Sequence, residues 1–425
     1  MISRRQFGMA AAATGVLAAA PSDRIQIAVI GARGQGRSLA ARFATLKECR
    51  VKTLCDVDSR VFARAAEAVE KGSGERPEFV GDLRRVLDDK AIDAVVIATP
   101  DHWHCAATLL ACAAGKDVYV EKPASHNLRE GRWMVEAARR HQRIVQLGTQ
   151  SRSRPSTRRA IEVAHSGRLG RVLMAKAWNT QMRENIGRKP DATPPKEVDY
   201  DTWMGPAPVL PFSENRFHYQ WHWHWNYGTG DMGNDGVHQL DIARWALQVD
   251  APVKVTGSAA KLFFGDDDQQ TPDTMNITFE FAGGKMLQFE MRNWNPYGLE
   301  GQENGVAVYG SEGFLHIGRW ESGRWGYRIF DAKGKLAEDH SLNEDDDERS
   351  HLRNFLECIR TRKAPNAEIE TGHRSSTLCH LGNIVARTGR AQVFDPARET
   401  IAGDAEASQL LGRRYREHWS KPKSV

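Results

Sequence analysis

Between residues 24 and 150 the chain alternates short β-rich runs with longer segments of helical spacing, which confines the region to a parallel sheet covered by helices. Arg24–Ile30, Arg50–Cys55, Phe79–Val80, Ala91–Ala98, Asp117–Val120 and Ile144–Leu147 read as strands. Gly36–Leu46, Ser59–Val69, Thr108–Ala114 and Arg129–His141 read as helices between them. In an open α/β sheet, chemistry gathers outside the carboxyl ends of the strands. Two such ends carry polar, proline-punctuated loops, Thr99-Pro100-Asp101-His102-Trp103-His104 and Glu121-Lys122-Pro123. A lysine beside a φ-fixed proline is a candidate for a fixed active-site ammonium, suited to hydride transfer at an alcohol or carbonyl.

From about residue 151 the period changes. A helix at Pro155–His165 leads into longer alternating strands at Val172–Trp178, Val253–Phe264, Thr274–Phe281, Lys285–Trp294, Gly305–Tyr309, Phe314–Ile317 and Trp325–Phe330. Ala282-Gly283-Gly284 reads as a hairpin turn, and helices return at Asp347–Arg360 and Thr371–Arg387. The fold class is therefore α/β. Residues 21–150 form a nucleotide-type domain, and 151–425 form an α+β domain with a large, mostly antiparallel sheet. One face of that sheet is expected to lie on helices and the other to mediate a homodimer or tetramer.

The first twenty residues read as an address. Ser3-Arg4-Arg5-Gln6-Phe7 matches a twin-arginine signal, followed by an apolar run, Gly8–Leu17, and by Ala18-Ala19-Ala20 before Pro21. That run is too short to span a bilayer, and no later segment is long and apolar enough to do so. The expectation is a periplasmic or otherwise exported protein, without a membrane span, carried folded with its cofactor by the twin-arginine machinery. A length of 425 residues suits two domains, and the formal charge of +5, partly from Arg4 and Arg5, is too weak and dispersed for nucleic acid. The six cysteines form no CxxC pair and read as small core residues. The acidic run Glu344–Glu348 precedes a helix, where its charge suits the N-terminal dipole rather than a metal.

Ala28-Val29-Ile30-Gly31-Ala32-Arg33-Gly34-Gln35-Gly36 follows the first strand and opens the first helix, the context a phosphate-cradling glycine turn requires. Its spacing is G-x-x-G-x-G, with Arg33 where the second glycine usually stands. Asp56, 25 residues after Gly31 and at the end of the second strand, is placed to accept hydrogen bonds from a ribose diol. It favours NAD over NADP, with Arg33 and Arg60 able to reverse that preference.

Taken together, the glycine turn, Thr99–His104, Glu121-Lys122-Pro123 and the segment Gly228–Asp241 resemble the Gfo/Idh/MocA oxidoreductases over nearly the whole chain beyond the leader. The resemblance implies a Rossmann domain and an open-faced α/β domain with catalysis between them. Lys122 would hydrogen-bond the reacting hydroxyl and His238 would act as general base. A histidine near neutral pKa can take a hydroxyl proton, and the ammonium stabilises the developing alkoxide. Position 234 is asparagine where the family pattern has aspartate. Asn234 can orient His238 but brings no charge, and Asp235 or Asp241 are candidates to compensate. Thr99, Pro100, Asp101, His104, Glu121, Lys122 and Gln150 join the glycine turn and Asp56 as candidate cofactor contacts. Arg152, Trp223 and Asp241 are candidate substrate contacts. In Phe217–Trp225 the rings suit sugar C–H faces and His218, His222 and His224 suit hydroxyls, whereas the H-x-H spacing gives poor metal geometry. No metal is expected.

The leading expectation is an NAD(P)-dependent oxidoreductase acting on a sugar, polyol or glycoside. One alternative is glycoside cleavage by oxidation, elimination and reduction with bound NAD. The other is a carbohydrate- or nucleotide-binding protein whose activity the Asn234 change has removed.

Overall fold

The computed structural model describes residues 24–416 except 296, 321–322, 342–346 and 348. The expected leader lies outside the described residues, as does the acidic run apart from Asp347. The first sheet comprises β1 (Ile25–Ile30), β2 (Cys49–Cys55), β3 (Glu78–Val80), β4 (Ala94–Ile97), β5 (Asp117–Val120) and β6 (Val145–Leu147). Its order is β3-β2-β1-β4-β5-β6 and every pairing is parallel, the Rossmann arrangement. β1, β4 and β5 are almost wholly buried, as strands covered on both faces must be.

The second sheet comprises β7 (Val172–Asn179), β8 (Lys254–Ala260), β9 (Thr274–Glu280), β10 (Met286–Arg292), β11 (Asn304–Gly310), β12 (Gly313–Arg319), β13 (Trp325–Asp331), β14 (Leu336–His340), β15 (Gln392–Asp395) and β16 (Thr400–Ala402). Its order is β14-β13-β12-β11-β7-β10-β9-β8-β15-β16, antiparallel throughout except for the β7–β10 pair. Gly283 and Gly284, at φ +84° and +82°, turn β9 into β10 in a conformation that side chains disfavour. Phe279, Phe289, Val306 and Ile317 face helices Val237–Leu247 and Ile369–Thr388 in the core. The alternate residues form the opposite face, where Phe314 stacks on Phe330 at 4.5 Å.

Three differences from the sequence reading have physical causes. The helix expected at Thr108 begins at Asp101, because Pro100 suits the position before a first turn and Asp101 suits the helix dipole. The strand expected to reach Phe264 ends at Ala260, because the amides of Leu262, Phe263 and Phe264 donate to the Asp273 carboxylate at 2.9 Å. β14 to β16 carry little apolar alternation and were not legible as strands. The chain also returns to the first domain: Phe355, on helix Ser350–Thr361, packs edge-on against Phe43 and Tyr119. Burying such a ring contributes roughly 2–3 kcal/mol, so the two domains share a core. All six cysteines are buried and free.

Candidate active site

The carboxyl ends of β1, β2, β4 and β5 open into a cavity of about 500 Å³, whose opposite wall comes from residues 202–238 of the second domain. On the nucleotide side, glycine is required by geometry. A Cβ on Gly31, at φ +88°, would stand 2.5 Å from the Ala98 carbonyl oxygen, and one on Gly36 would stand 1.7 Å from that of Gly31. At Gly34, φ +50°, a Cβ would meet nothing within 4 Å, so the backbone there is open to the cavity. Helix Gly34–Ala44 starts at this point without a side-chain cap. The Gly36 amide donates to the Arg33 carbonyl at 3.0 Å, which leaves those of Gly34 and Gln35 at the helix start for a pyrophosphate, so the shifted glycine spacing still builds a cradle. The residues present fit a dinucleotide.

Asp56 serves two purposes. Oδ2 accepts from the Ala32 amide at 2.7 Å and Oδ1 from the Asp58 amide at 3.0 Å, which braces the glycine turn against β2. Burial pushes its carboxyl up to about 6 against those hydrogen bonds. A ribose diol donates to the ionised form, so NAD affinity should weaken about tenfold between pH 7 and pH 5 as the carboxyl takes a proton. Calorimetric titration across that range checks this, and Asp56→Ala should abolish the pH dependence along with most of the affinity. Arg60, a possible 2′-phosphate partner, is taken by Asp58, to which Nε and Nη2 both donate at 2.7 Å. Two carboxylates at the end of β2 favour a ribose over a phosphate.

Lys122 projects from the end of β5 and donates through Nζ to Asn234 twice, to the backbone oxygen at 2.7 Å and to Oδ1 at 3.0 Å. Asn234 lies in a π-turn, Met232–Gly236, whose wider winding turns its amide toward the lysine. Its Nδ2 donates to Asp231 Oδ1 at 2.9 Å, and Asp231 is in turn gripped by Arg183 and Asn179. Arg183 also pairs with Asp235. Asn234 therefore orients Lys122, not His238. An aspartate there would lose the donor to Asp231 and set two carboxylates against each other.

The cavity brings together Gly31, Arg33, Gly34, Gln35, Asp56, Thr99, Pro100, Asp101, Glu121, Lys122, Gln150, Asn234, Asp235 and His238. Glu121 accepts from Gln35 at 3.0 Å and from the Lys122 amide at 3.2 Å, tying the glycine helix to the lysine. Asp101 accepts from Thr229 Oγ1 at 2.7 Å, and burial pushes its carboxyl up to about 7. Gly36, His104, Arg152, Trp223 and Asp241 do not line the cavity. His104 lies behind it, its ring nitrogens 2.7 Å from the Pro123 carbonyl and 3.0 Å from that of Thr99. Arg152 and Asp241 bind each other in a buried bidentate pair at 2.8 Å, so neither is free for substrate. Trp223 is buried and donates to Gln220 at 3.1 Å, while its neighbours Tyr219, Trp221 and His222 face the cavity. The sequence flagged their segment without giving the orientation of each ring; Arg183 and Asp231 carried no local signal.

This is the architecture of a dinucleotide-binding oxidoreductase. The chain belongs to the Gfo/Idh/MocA oxidoreductase family and has its NAD-binding Rossmann fold. The family's Rossmann profile matches residues 25–149, and the profile of its C-terminal alpha/beta domain matches 175–310 and 323–421. Inositol 2-dehydrogenase 2 of Saccharopolyspora erythraea is 28% identical over 289 residues, covering 68% of this chain and 72% of that protein. Glycosyl hydrolase family 109 protein 2 of Shewanella sp. (strain ANA-3) is 32% identical over 125 residues, which span 28% of this chain and only 27% of that relative. Aldose-aldose oxidoreductase from Caulobacter crescentus, solved with glycerol, shares the fold with a TM-score of 0.66 at 20% identity, covering 87% of this chain and 99% of that one.

Proposed function

We propose that this chain interconverts a secondary hydroxyl and a carbonyl on a sugar, polyol or glycoside. The supporting observation is that Lys122 and His238 line the same cavity as the glycine turn and Asp56. Gly31, Gly34, Asp56 and Gln150 would hold NAD, which when bound would supply the hydride acceptor. An ammonium has three donors, and Asn234 takes two of those of Lys122, which leaves one for the substrate oxygen. That donor strengthens as the oxygen gains negative charge. His238 stands where the family pattern has the base. Burial, with the Lys122 and Arg154 charges, lowers its pKa to about 3, so the imidazole is neutral with a lone pair to offer at any working pH. Half-buried Trp221 gives the wall apolar surface suited to sugar C–H groups. Testing inositols and aldoses for NAD reduction by the purified protein checks the reading; failure with all of them would count against it.

The family 109 relative favours a second reading, redox-neutral cleavage of a glycoside with NAD retained. Aglycone release from aryl glycosides without added NAD would support it. We further propose export through the twin-arginine route. Replacing Arg4 and Arg5 together by lysine should leave the protein uncleaved in the cytoplasm, because a receptor reads the pair rather than its charge. Cell fractionation checks this; mature protein still reaching the periplasm would contradict it. Homo-oligomer formation through the free face of the second sheet, around Phe314 and Phe330, completes the proposal, with light scattering as its test.

A further inference from the structure

We infer that His222 receives the proton of the reacting hydroxyl through Nε2, a role the family pattern gives to His238. The inference rests on the reading of the cavity as the hydride-transfer site. His222 and His238 both line that cavity with Lys122, from opposite elements: His222 lies on a tight turn, His218–Trp223, and His238 is on helix Val237–Leu247. They differ in what stands behind the ring. His222 Nδ1 lies 2.5 Å from the Tyr219 carbonyl oxygen. A carbonyl only accepts, so this nitrogen carries the hydrogen and Nε2 keeps its lone pair. The ring stacks on Trp221 with centroids 3.6 Å apart and planes 21° apart, which fixes its direction. Gly228 packs against the same turn, where a Cβ would stand 2.7 Å from His222 Cα.

His238 lacks this support. Its Nδ1 is buried and has no hydrogen-bond partner among the described residues. A base that accepts at Nε2 must hold N–H groups at both nitrogens afterwards. At His238 the second N–H would be buried without an acceptor, a desolvation cost that grows when the ring is charged. At His222 the Tyr219 carbonyl already receives it. Burial and the Lys122 and Arg183 charges lower the pKa of the free His222 ring to about 3, against the Tyr219 hydrogen bond, so it waits in the neutral form. His104 is the other titratable ring acting on it, and it is buried with its nitrogens against the Pro123 and Thr99 carbonyls. In the step itself the O–H bond breaks and the proton bonds to Nε2. The electron pair left on oxygen closes the carbonyl as the carbon gives up its hydride to the nicotinamide that the cavity would hold. Lys122 holds that oxygen throughout, and the reverse reaction returns the proton from His222.

Two measurements test this. The first needs no cofactor: ¹⁵N NMR of protein labelled in its histidine rings, with the His222 signals assigned by their loss in His222→Gln. The expected result is a neutral ring at pH 7 with hydrogen on Nδ1 and a bare Nε2; an Nε2–H tautomer or an imidazolium would overturn the proposal. The second uses NAD reduction with inositol. His222→Gly should lower turnover at least about 100-fold, the lower end for general acid–base catalysis, and added imidazole should restore part of it. His238→Gln should cost less. A larger loss at His238, with no imidazole rescue at position 222, would return the role to His238. Should the wild-type protein reduce NAD with no sugar or polyol, the functional reading falls, and the tautomer measurement alone then decides whether His222 has the lone pair claimed for it.

Discussion

Replacing Lys122 with methionine is expected to lower kcat by about 10²–10³-fold, the range seen when one donor to a developing oxyanion is removed. Methionine keeps the length and apolar stem of lysine and removes only the charge and the donors. The affinity for NAD should change far less than kcat, because the cradle is built from Gly31, Gly34 and Asp56. KM should also move little if the interaction is made mainly in the transition state, so kcat and kcat/KM fall together. Steady-state kinetics beside calorimetric titration of NAD separates the two effects. Equal losses of NAD affinity and turnover would mean that Lys122 holds cofactor rather than the reacting oxygen.

What the sequence made legible was whatever rests on local period and punctuation. The βαβ alternation, the glycine turn and the register of Asp56 are set by residues close in the chain, and Lys122 announced itself by its strand end and its proline. The rest depended on partners distant in sequence. Arg152 and Asp241 read as substrate contacts because they are polar residues near a catalytic motif; only the packed fold shows that they neutralise one another. Asn234 looked like a weakened partner of His238, whereas its bonds run to Lys122 and Asp231. His222 and Trp223 are adjacent and equally promising on paper. The tight turn that carries them sends one ring into the cavity and buries the other.

The Arg152–Asp241 pair should matter for stability more than for substrate. Asp241→Ala should destabilise the fold by about 3–5 kcal/mol, because it leaves a buried guanidinium uncompensated. Burial alone would raise the Asp241 carboxyl, but the Arg152 charge and hydrogen bonds, helped by Arg244 and Ser375, outweigh it and hold the group below its ordinary value. A carboxyl depressed in this way contributes stability that is fully present above about pH 4, the unfolded value, and is lost as pH falls through the folded one. Thermal melts of the wild type and Asp241→Ala should therefore differ most near neutrality and converge in acid. Replacing Arg152 with methionine in the same chain should recover much of the loss, since removing both charges spares the unpaired one. A variant as stable as the wild type but with raised KM would instead place Asp241 in the substrate site.

If this cavity moves a hydride between a carbinol carbon and NAD, an isotope on that carbon follows it to the cofactor. Purified protein is incubated with NAD and with inositol or an aldose carrying deuterium on its carbinol carbons, and the nicotinamide is recovered for mass spectrometry. Reduced cofactor carrying one deuterium is expected from at least one such substrate, with Lys122→Met transferring it at least about 100-fold more slowly. Cofactor that stays oxidised and unlabelled with every substrate, or label that appears equally fast in Lys122→Met, would contradict it.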